Sequence, residues 1–186
     1  MKNNIHFANI SDVSTLIETK EISPVELTEH LLSRIESIDR KLKSYVTVFA
    51  DRAIDEAKRA EKEILVGDYR GKLHGIPLSA KDLCYTKGIR TMGGLKVCKD
   101  FKPSFDATVI KRLSAAGAIL LGKNALTEGA LSGYNPEFEI PINPWGHKLW
   151  AGVSSSGSGV AVAAGLCFGS LGTDTGCLLY TYDAAD

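Results

Sequence analysis

The stretch AGVSSSGSGVAVAAGL, residues 151–166, places four serines and three glycines between positions 152 and 159 and then continues into small apolar residues. A flexible linker is rich in Ser and Gly, but it does not continue into an apolar segment of this kind. The apolar residues predict a buried helix over 157–166, which brings the serine-rich turn into the protein interior. A buried hydroxyl group needs a hydrogen-bonding partner. The stretch therefore indicates either a tightly packed turn or a functional site.

The composition of the 186-residue chain is that of one globular domain, with 44% hydrophobic and 24% charged residues. The 22 basic residues balance the 22 acidic ones, and no basic stripe occurs, which argues against direct binding of nucleic acid. The N-terminal sequence MKNNIHFANISDVS lacks the apolar core of a secretory signal. No apolar run reaches the roughly 20 residues of a membrane span. These features predict a cytoplasmic protein that does not contact a membrane.

The cysteines and histidines show no metal-ligand spacing, because the sequence contains neither C-x-x-C nor H-x-x-x-H. We therefore expect no metal and no cofactor, and we expect the cysteines to be reduced thiols. The residues concerned are Cys84, Cys98, Cys167, Cys177, His6, His30, His74 and His147.

The first third of the chain is predicted to be mainly helical. The residues Ser23-Pro24-Val25-Glu26 match a capping box with proline at the first helical position. A β-like run at 45–49 separates this helix from a second one, whose outer face carries charges of both signs and predicts a solvated surface. Two apolar sets recur at helical spacing: Leu27, Leu31, Ile35 and Ile38, then Ala53, Ile54, Ala57, Ala60 and Ile64.

The pattern changes after Gly71 to one typical of α/β proteins. A buried strand is predicted over Ile76–Ala80 and ends at Lys81. Asp106 is predicted to cap a helix that ends at Gly117, and the apolar residues 118–122 predict a second buried strand. Helices that alternate with buried strands indicate a mostly parallel sheet.

The serine-rich turn contains Ser154, Ser155, Ser156 and Ser158. It could be a tight turn whose hydroxyls cap the following helix. The phosphate-binding patterns G-x-x-x-x-G-K-[ST] and G-x-G-x-x-G are absent, as is the G-x-S-x-G pattern of α/β-hydrolases. None of the histidines lies in a motif that would make it the base of a serine nucleophile.

Lys81 is the remaining candidate for a base. At the end of an apolar strand its amine would be desolvated, its pKa would fall, and the neutral amine could accept a proton from a hydroxyl. The alternatives are an ion pair with Asp82 or an outward-pointing side chain. The local sequence alone favours these alternatives.

Six ordered blocks give the chain a resemblance to the amidase signature family from about Ile22 to Gly176. The resemblance implies a twisted, mixed β-sheet with helices on both faces. It also implies that residues 1–176 are the N-terminal part of a single amidase domain, truncated at its C-terminal side. The blocks are HGIPLSAKDL (74–83), KGIRTMGG (87–94), DATVIKRLSAAGAILLGK (106–123), NPW (143–145), AGVSSSGSGVAVAAGL (151–166) and GTDTG (172–176).

Members of that family hydrolyse amides with a Ser–Ser–Lys triad. The resemblance assigns the lysine to Lys81 and the proton-relaying serine to Ser154, which the family holds with a cis peptide bond. It assigns backbone N–H groups of the oxyanion hole to Thr175, Gly176 and Cys177. Such N–H groups stabilise the charge of a tetrahedral intermediate.

The sequence departs from the family after GTDTG, where the family continues Gly-Ser-[IV]-Arg with the nucleophilic serine. Here Leu178 stands at the position of that serine. We interpret residues 177–186, CLLYTYDAAD, as a non-family tail that resembles a translated sequencing-library adapter. The 186-residue chain, with leucine at this position, is therefore predicted to lack amidase activity.

The resemblance implies that the parent protein hydrolyses the C–N bond of a small-molecule amide. The G-x-S-S-S-G-S-G form of the serine-rich turn is more similar to free-standing amidases, which can form homodimers. An alternative is the A subunit of a tRNA-dependent amidotransferase, which acts with B and C subunits and releases ammonia from glutamine. A hypothesis of another class is a catalytically silent binding or scaffold fragment.

Overall fold

The computed structural model describes residues 4–131 and 133–174. Short helical turns accompany the main elements at Ile5–Phe7, Ile35–Asp39 (a π-helical turn), Lys96–Cys98 and Glu128–Ala130. The helices are α1 (Ile10–Glu18), α2 (Pro24–Arg34), α3 (Arg40–Leu42), α4 (Ala50–Leu65), α5 (Thr108–Ala115) and α6 (Ser156–Ala163). The strands are β1 (Tyr45–Val48), β2 (Pro77–Lys81), β3 (Ile119–Asn124) and β4 (Ser170–Leu171).

The start of α2 is capped as the sequence predicts. Pro24 occupies the first turn, where a missing N–H costs least, and the Ser23 hydroxyl accepts from the backbone N–H groups of Val25 (2.9 Å) and Glu26 (3.3 Å). Three of the four apolar positions predicted for this helix and its continuation are buried, and Ile38 is partly buried. The first predicted helix is confirmed.

The four strands form one mixed sheet in the order β1-β3-β2-β4. Strand β2 is central and runs parallel to both β3 and β4, whereas β1 is antiparallel to β3. Every residue of β2 and of β3 is buried. The mixed sheet is confirmed, and both predicted buried strands exist. Each begins one residue later than predicted and also ends later, β2 at Lys81 and β3 at Asn124.

Helices cover both faces of this sheet. On one face, Ile119 and Leu121 of β3 share a hydrophobic cluster with residues of α2, α4 and α6. On the other face, Leu120 packs with Ile110 of α5. Successive side chains of a strand point to opposite faces, so one apolar strand serves both layers. The continuous apolar run of β3 is explained by this double burial.

Two local predictions are wrong. Asp106 does not cap α5, whose N-cap residue is Ala107, because the Asp106 carboxylate accepts a hydrogen bond from the N–H of Lys87 instead (2.6 Å). Helix α6 is shorter than the predicted 157–166, because Gly165 adopts a left-handed backbone (φ +63°) and ends the helical path. It is also not buried on all sides, since Val162 is 42% exposed.

Helix α6 approaches the end of β3 very closely at Gly157. The Gly157 N–H donates to the carbonyl oxygen of Ala125 at 3.1 Å, and a Cβ at this position would lie 2.5 Å from that oxygen. Two residues further on, Gly159 faces open space. Because Gly157 has no side chain, the serine-rich turn that precedes α6 lies beside the ends of the central strands.

Candidate active site

Lys81 occupies the carboxyl end of the central strand β2 and is completely buried. Its amine donates to three hydroxyl groups: Ser154 Oγ at 2.8 Å, Ser155 Oγ at 2.9 Å and Thr173 Oγ1 at 2.8 Å. A lysine amine has three rotatable donors when charged, so these hydroxyls match its full hydrogen-bonding capacity. The structure thus brings together Lys81 and Ser154, the two site residues that were predicted from the sequence and that lie within the described chain.

Three separate segments meet at this amine. Strand β2 supplies Lys81, and the turn before α6 supplies the two serines. The third segment follows β4, which pairs with β2 in parallel through Ser79–Ser170 and Ala80–Leu171. Since parallel strands end at the same edge of a sheet, Thr173 comes directly alongside Lys81. Clefts at the carboxyl ends of such strands are the usual ligand sites of open α/β sheets.

Hydrogen bonds of Ser155 join the serine-rich turn to the segment after β4. Its hydroxyl accepts from the N–H of Thr173 at 3.1 Å and lies 3.2 Å from the Thr173 carbonyl oxygen, to which it can donate. Neither Ser155 nor Thr173 was assigned a role from the sequence. Both lie in the blocks that resemble the amidase signature family, but only the pairing of β2 with β4 places them beside the amine.

Burial lowers the pKa of Lys81 from 10.5 to about 8, against smaller opposing effects of Cys84 and Asp174. A lysine with such a pKa is neutral in an appreciable fraction of molecules near neutral pH. The two alternatives considered for Lys81 are not seen. Its side chain does not point outward, and the Asp82 carboxylate lies 3.6 Å from the amine of another buried lysine, Lys123.

The remaining serines of the turn face structural partners. The Tyr134 hydroxyl donates to Ser156 Oγ at 2.5 Å, and Ser158 Oγ donates to the Leu171 carbonyl at 3.0 Å. Both serines are buried. These contacts hold α6 against its neighbours and do not involve Lys81.

The expected cis peptide bond at Ser154 is not present, because all peptide bonds of the described residues are trans. The Ser154 hydroxyl reaches Lys81 with this trans backbone. The four other positions named from the sequence lie outside the described residues: Thr175, Gly176, Cys177 and Leu178.

Within residues 4–131 and 133–174 the structure contains no group of three or more His, Cys, Asp or Glu side chains that could hold a metal ion. Among the same residues, no helix combines the length and the apolar character that a membrane crossing requires. The described cysteines, Cys84, Cys98 and Cys167, are free thiols.

The sequence matches the family Amidase over residues 26–177. It is 52% identical over 167 residues to AmiD of Mycobacterium tuberculosis, a protein proposed to be an amidase, with 90% of this chain and 35% of that protein covered. It is 43% identical over 162 residues to the A subunit of the glutamyl-tRNA(Gln) amidotransferase from Anaeromyxobacter dehalogenans, covering 86% and 33%. The chain thus spans about a third of the length of these relatives.

Solved amidase structures show the same fold over the same part of the chain. A peptide amidase from Stenotrophomonas maltophilia superposes with a TM-score of 0.80 at 34% identity, covering 86% of this chain and 34% of that one. An amidase family protein from Bacillus anthracis gives a TM-score of 0.82 at 31% identity, with 90% and 35% covered. The mixed sheet and its flanking helices therefore correspond to part of the amidase signature fold, and the chain belongs to the amidase family.

Proposed function

We propose that the complete protein is an amidase that hydrolyses the C–N bond of a small-molecule amide through a Ser–Ser–Lys triad. The observation that carries this proposal is the buried Lys81 amine in contact with the Ser154 hydroxyl at 2.8 Å. A buried amine with a lowered pKa, in a cluster of hydroxyl groups, is suited to proton transfer. Family membership supports the same reaction class. The protein is proposed to be cytoplasmic and to need no cofactor.

In this mechanism neutral Lys81 accepts the proton of the Ser154 hydroxyl, and Ser154 takes the proton of a nucleophilic serine. The serine oxygen attacks the carbonyl carbon of the amide. Backbone N–H groups at Thr175, Gly176 and Cys177 are proposed to stabilise the oxyanion. The relay then returns the proton to the leaving nitrogen as the C–N bond breaks. Water next attacks the acyl-enzyme and gives its proton to the relay, which passes a proton to the serine oxygen as the acyl C–O bond breaks.

The 186-residue chain itself is proposed to lack this activity. Leu178, which carries no hydroxyl, stands at the position of the nucleophile, so no oxygen is available to form the acyl-enzyme. We propose that residues 177–186 are an unrelated tail and that residues 1–176 belong to one amidase domain. A natural protein with this tail would be a catalytically silent binding or scaffold protein.

A second candidate is favoured by the similarity to amidotransferase A subunits, which reaches 43% identity. Such a protein would release ammonia from glutamine and would act with B and C subunits. A free-standing amidase, alone or as a homodimer, would instead release ammonia from simple amides without partner chains. The balanced charge of the chain gives no support to direct contact with tRNA.

The test is a chimera that joins residues 1–176 to the remaining C-terminal part of M. tuberculosis AmiD. Ammonia release is measured with a panel of aliphatic and aromatic amides and with glutamine. We expect activity in the chimera, and a loss of about 10²–10⁴-fold in kcat for Lys81→Ala and for Ser154→Ala. Ser158→Ala is the matched control, because Ser158 contacts only the Leu171 carbonyl among its described partners.

Near-parental turnover of either triad variant would refute the assignment of the relay. Activity that appears only with glutamine and added B and C subunits would favour the amidotransferase. Ammonia release by the unaltered 1–186 chain would refute the role assigned to position 178.

A further inference from the structure

The N-terminal turn, Ile5–Phe7, packs against the end of α6. Ile5 is 5% exposed and belongs to a hydrophobic cluster shared by α1, α2, α4 and β2. A Cβ at Gly165, just after α6, would lie 2.8 Å from His6 Cδ2 and 2.9 Å from Phe7 Cε1. These contacts attach the turn to the core on one side and to the end of α6 on the other.

Two half-buried histidines face each other where the N-terminal turn meets α2. His6 Nδ1 lies 3.1 Å from His30 Nε2, which is a hydrogen-bonding distance. Only one hydrogen can lie between two such nitrogens, so one of the facing nitrogens must be without a proton. A protonated imidazole carries a hydrogen on both nitrogens. The contact therefore exists only while at least one of the two rings is neutral.

Arg34 adds a fixed positive charge to this contact. It lies one helical turn after His30 on α2, and its guanidinium donates to the carbonyl oxygens of Ala164 at 2.9 Å and Gly165 at 3.1 Å. The same guanidinium lies 5.8 Å from the centroid of the Phe7 ring. Arginine stays protonated in proteins, so this charge does not depend on pH. Protonation of both histidines would therefore bring three positive charges together.

The surroundings of the histidine pair favour its neutral form. Burial lowers the pKa of His6 and of His30 below 6.5, and the charge of Arg34 lowers both further. A charged His30 also lowers the pKa of His6, and the charged amino terminus lowers that of His30. The pKa of His30 is lowered although three glutamates line the cavity beside it: Glu21, Glu26 and Glu29.

We propose that the His6–His30 pair makes the attachment of the N-terminal turn sensitive to acid: when both rings are protonated, their hydrogen bond is lost and the turn is repelled from α2 and Arg34. The inference is independent of the proposed amidase activity. In a released turn the histidines have their ordinary pKa near 6.5, so the released state binds protons that the attached state does not. The attachment is therefore strongest above pH 6.5 and weakens as the pH falls below that value.

The experiment measures backbone order parameters by ¹⁵N NMR relaxation in the 1–186 chain at pH 7.0 and at pH 5.0. The reporters are the N–H groups of Phe7 and Ala8, which donate to the carbonyl oxygens of Asn4 and Ile5 in the attached turn. We expect the order parameters of these two groups to fall from about 0.85 at pH 7.0 to below about 0.6 at pH 5.0. The N–H groups of α4 should keep their order at both pH values.

Two variants identify the groups that respond to pH. The double variant His6→Gln/His30→Gln should keep the higher order parameters at both pH values, because a glutamine amide donates and accepts hydrogen bonds without titrating. His147→Gln, at an exposed position, is the matched control and should lose order at pH 5.0 as the parental chain does.

Three results would overturn the proposal: order that persists in the parental turn at pH 5.0, an equal loss of order in the double variant, or a simultaneous loss in α4, which would be global unfolding. If the double variant is already disordered at pH 7.0, a titration of the histidine ring resonances in the parental chain decides. His6 and His30 are expected to titrate below pH 6.5, over the range in which Phe7 and Ala8 lose order. Titration outside that range would also overturn the proposal.

Discussion

Replacing Lys81 with methionine should change how the stability of the chain depends on pH. Methionine keeps much of the volume and the apolar stem of lysine but cannot be charged. In the folded protein the pKa of Lys81 is lowered from 10.5 to about 8 by burial. The folded state therefore binds the Lys81 proton less readily than the unfolded state does, and Lys81 destabilises the fold wherever both states are charged.

The size of the effect follows from the two pKa values. A difference of about 2.5 units corresponds to about 3 kcal/mol at pH values below 8. At Lys81 the unfolded state binds more protons between about pH 8 and 10.5, so the contribution of Lys81 to the free energy of unfolding becomes less unfavourable through this window. Relative to Lys81→Met, the free energy of unfolding of the parental chain should rise by about 2.5 kcal/mol between pH 7 and pH 10.

The assay is urea denaturation followed by circular dichroism at several pH values, for the parental chain, Lys81→Met and Lys58→Met. Lys58 lies on the exposed face of α4, so this control should follow the parental pH dependence. The other groups that titrate at high pH are present in both chains. The difference in free energy of unfolding between the parental chain and Lys81→Met therefore reports the effect of Lys81. If this difference in free energy of unfolding stays constant from pH 7 to pH 10, the lowered pKa of Lys81 is refuted, and so is its proposed role as a neutral base.

Two further substitutions test the packing and the hydroxyl contacts of the site. Gly157→Ala should destabilise the chain by about 1–3 kcal/mol in urea denaturation, because its Cβ would lie 2.5 Å from the Ala125 carbonyl oxygen. The control is Gly159→Ala in the same helix, which faces open space and should be neutral or stabilising by up to about 1 kcal/mol. Equal effects of the two substitutions would refute the close approach at Gly157. Thr173→Val removes one of the three hydroxyls around Lys81 and should lower the pKa of Lys81 further, because the charged amine loses an acceptor. An NMR titration of the chain with ¹³C-labelled lysine measures this pKa, and an unchanged value would contradict the contact.

Local elements of the fold could be predicted where the sequence carries an apolar pattern or a capping residue. The cap at Ser23 and the buried strands at 76–80 and 118–122 depend on neighbouring residues, and the structure contains all three. Asp106 was misassigned because its carboxylate has a competing partner, the N–H of Lys87. An acceptor before a helix is a capping signal only if the tertiary structure leaves it free for the helix.

The contacts of the site depend on strand order, which local patterns do not contain. Thr173 lies 92 positions from Lys81 in sequence, and Ser155 lies 74 positions away. Thr173 meets Lys81 because β4 pairs with β2, the strand that carries Lys81. Ser155 joins them through its hydrogen bond with Thr173. The assignment of Lys81 and Ser154 to one site came from the family resemblance, since the local sequence favoured an ion pair or an exposed lysine. Lys123 follows the apolar run 118–122 much as Lys81 follows 76–80, but no role was assigned to it from the sequence.

The choice of partners for the two buried lysines fits the proposed chemistry. A hydroxyl group can accept a hydrogen bond from a charged amine and donate one to a neutral amine, so the contacts of Lys81 with Ser154 and Thr173 survive a change of protonation. A carboxylate only accepts when ionised and would hold the amine in its charged form. Asp82, the carboxylate nearest in sequence, lies instead against Lys123. The lysine surrounded by hydroxyls keeps its partners when it exchanges a proton, whereas the carboxylate beside Lys123 opposes the loss of its proton.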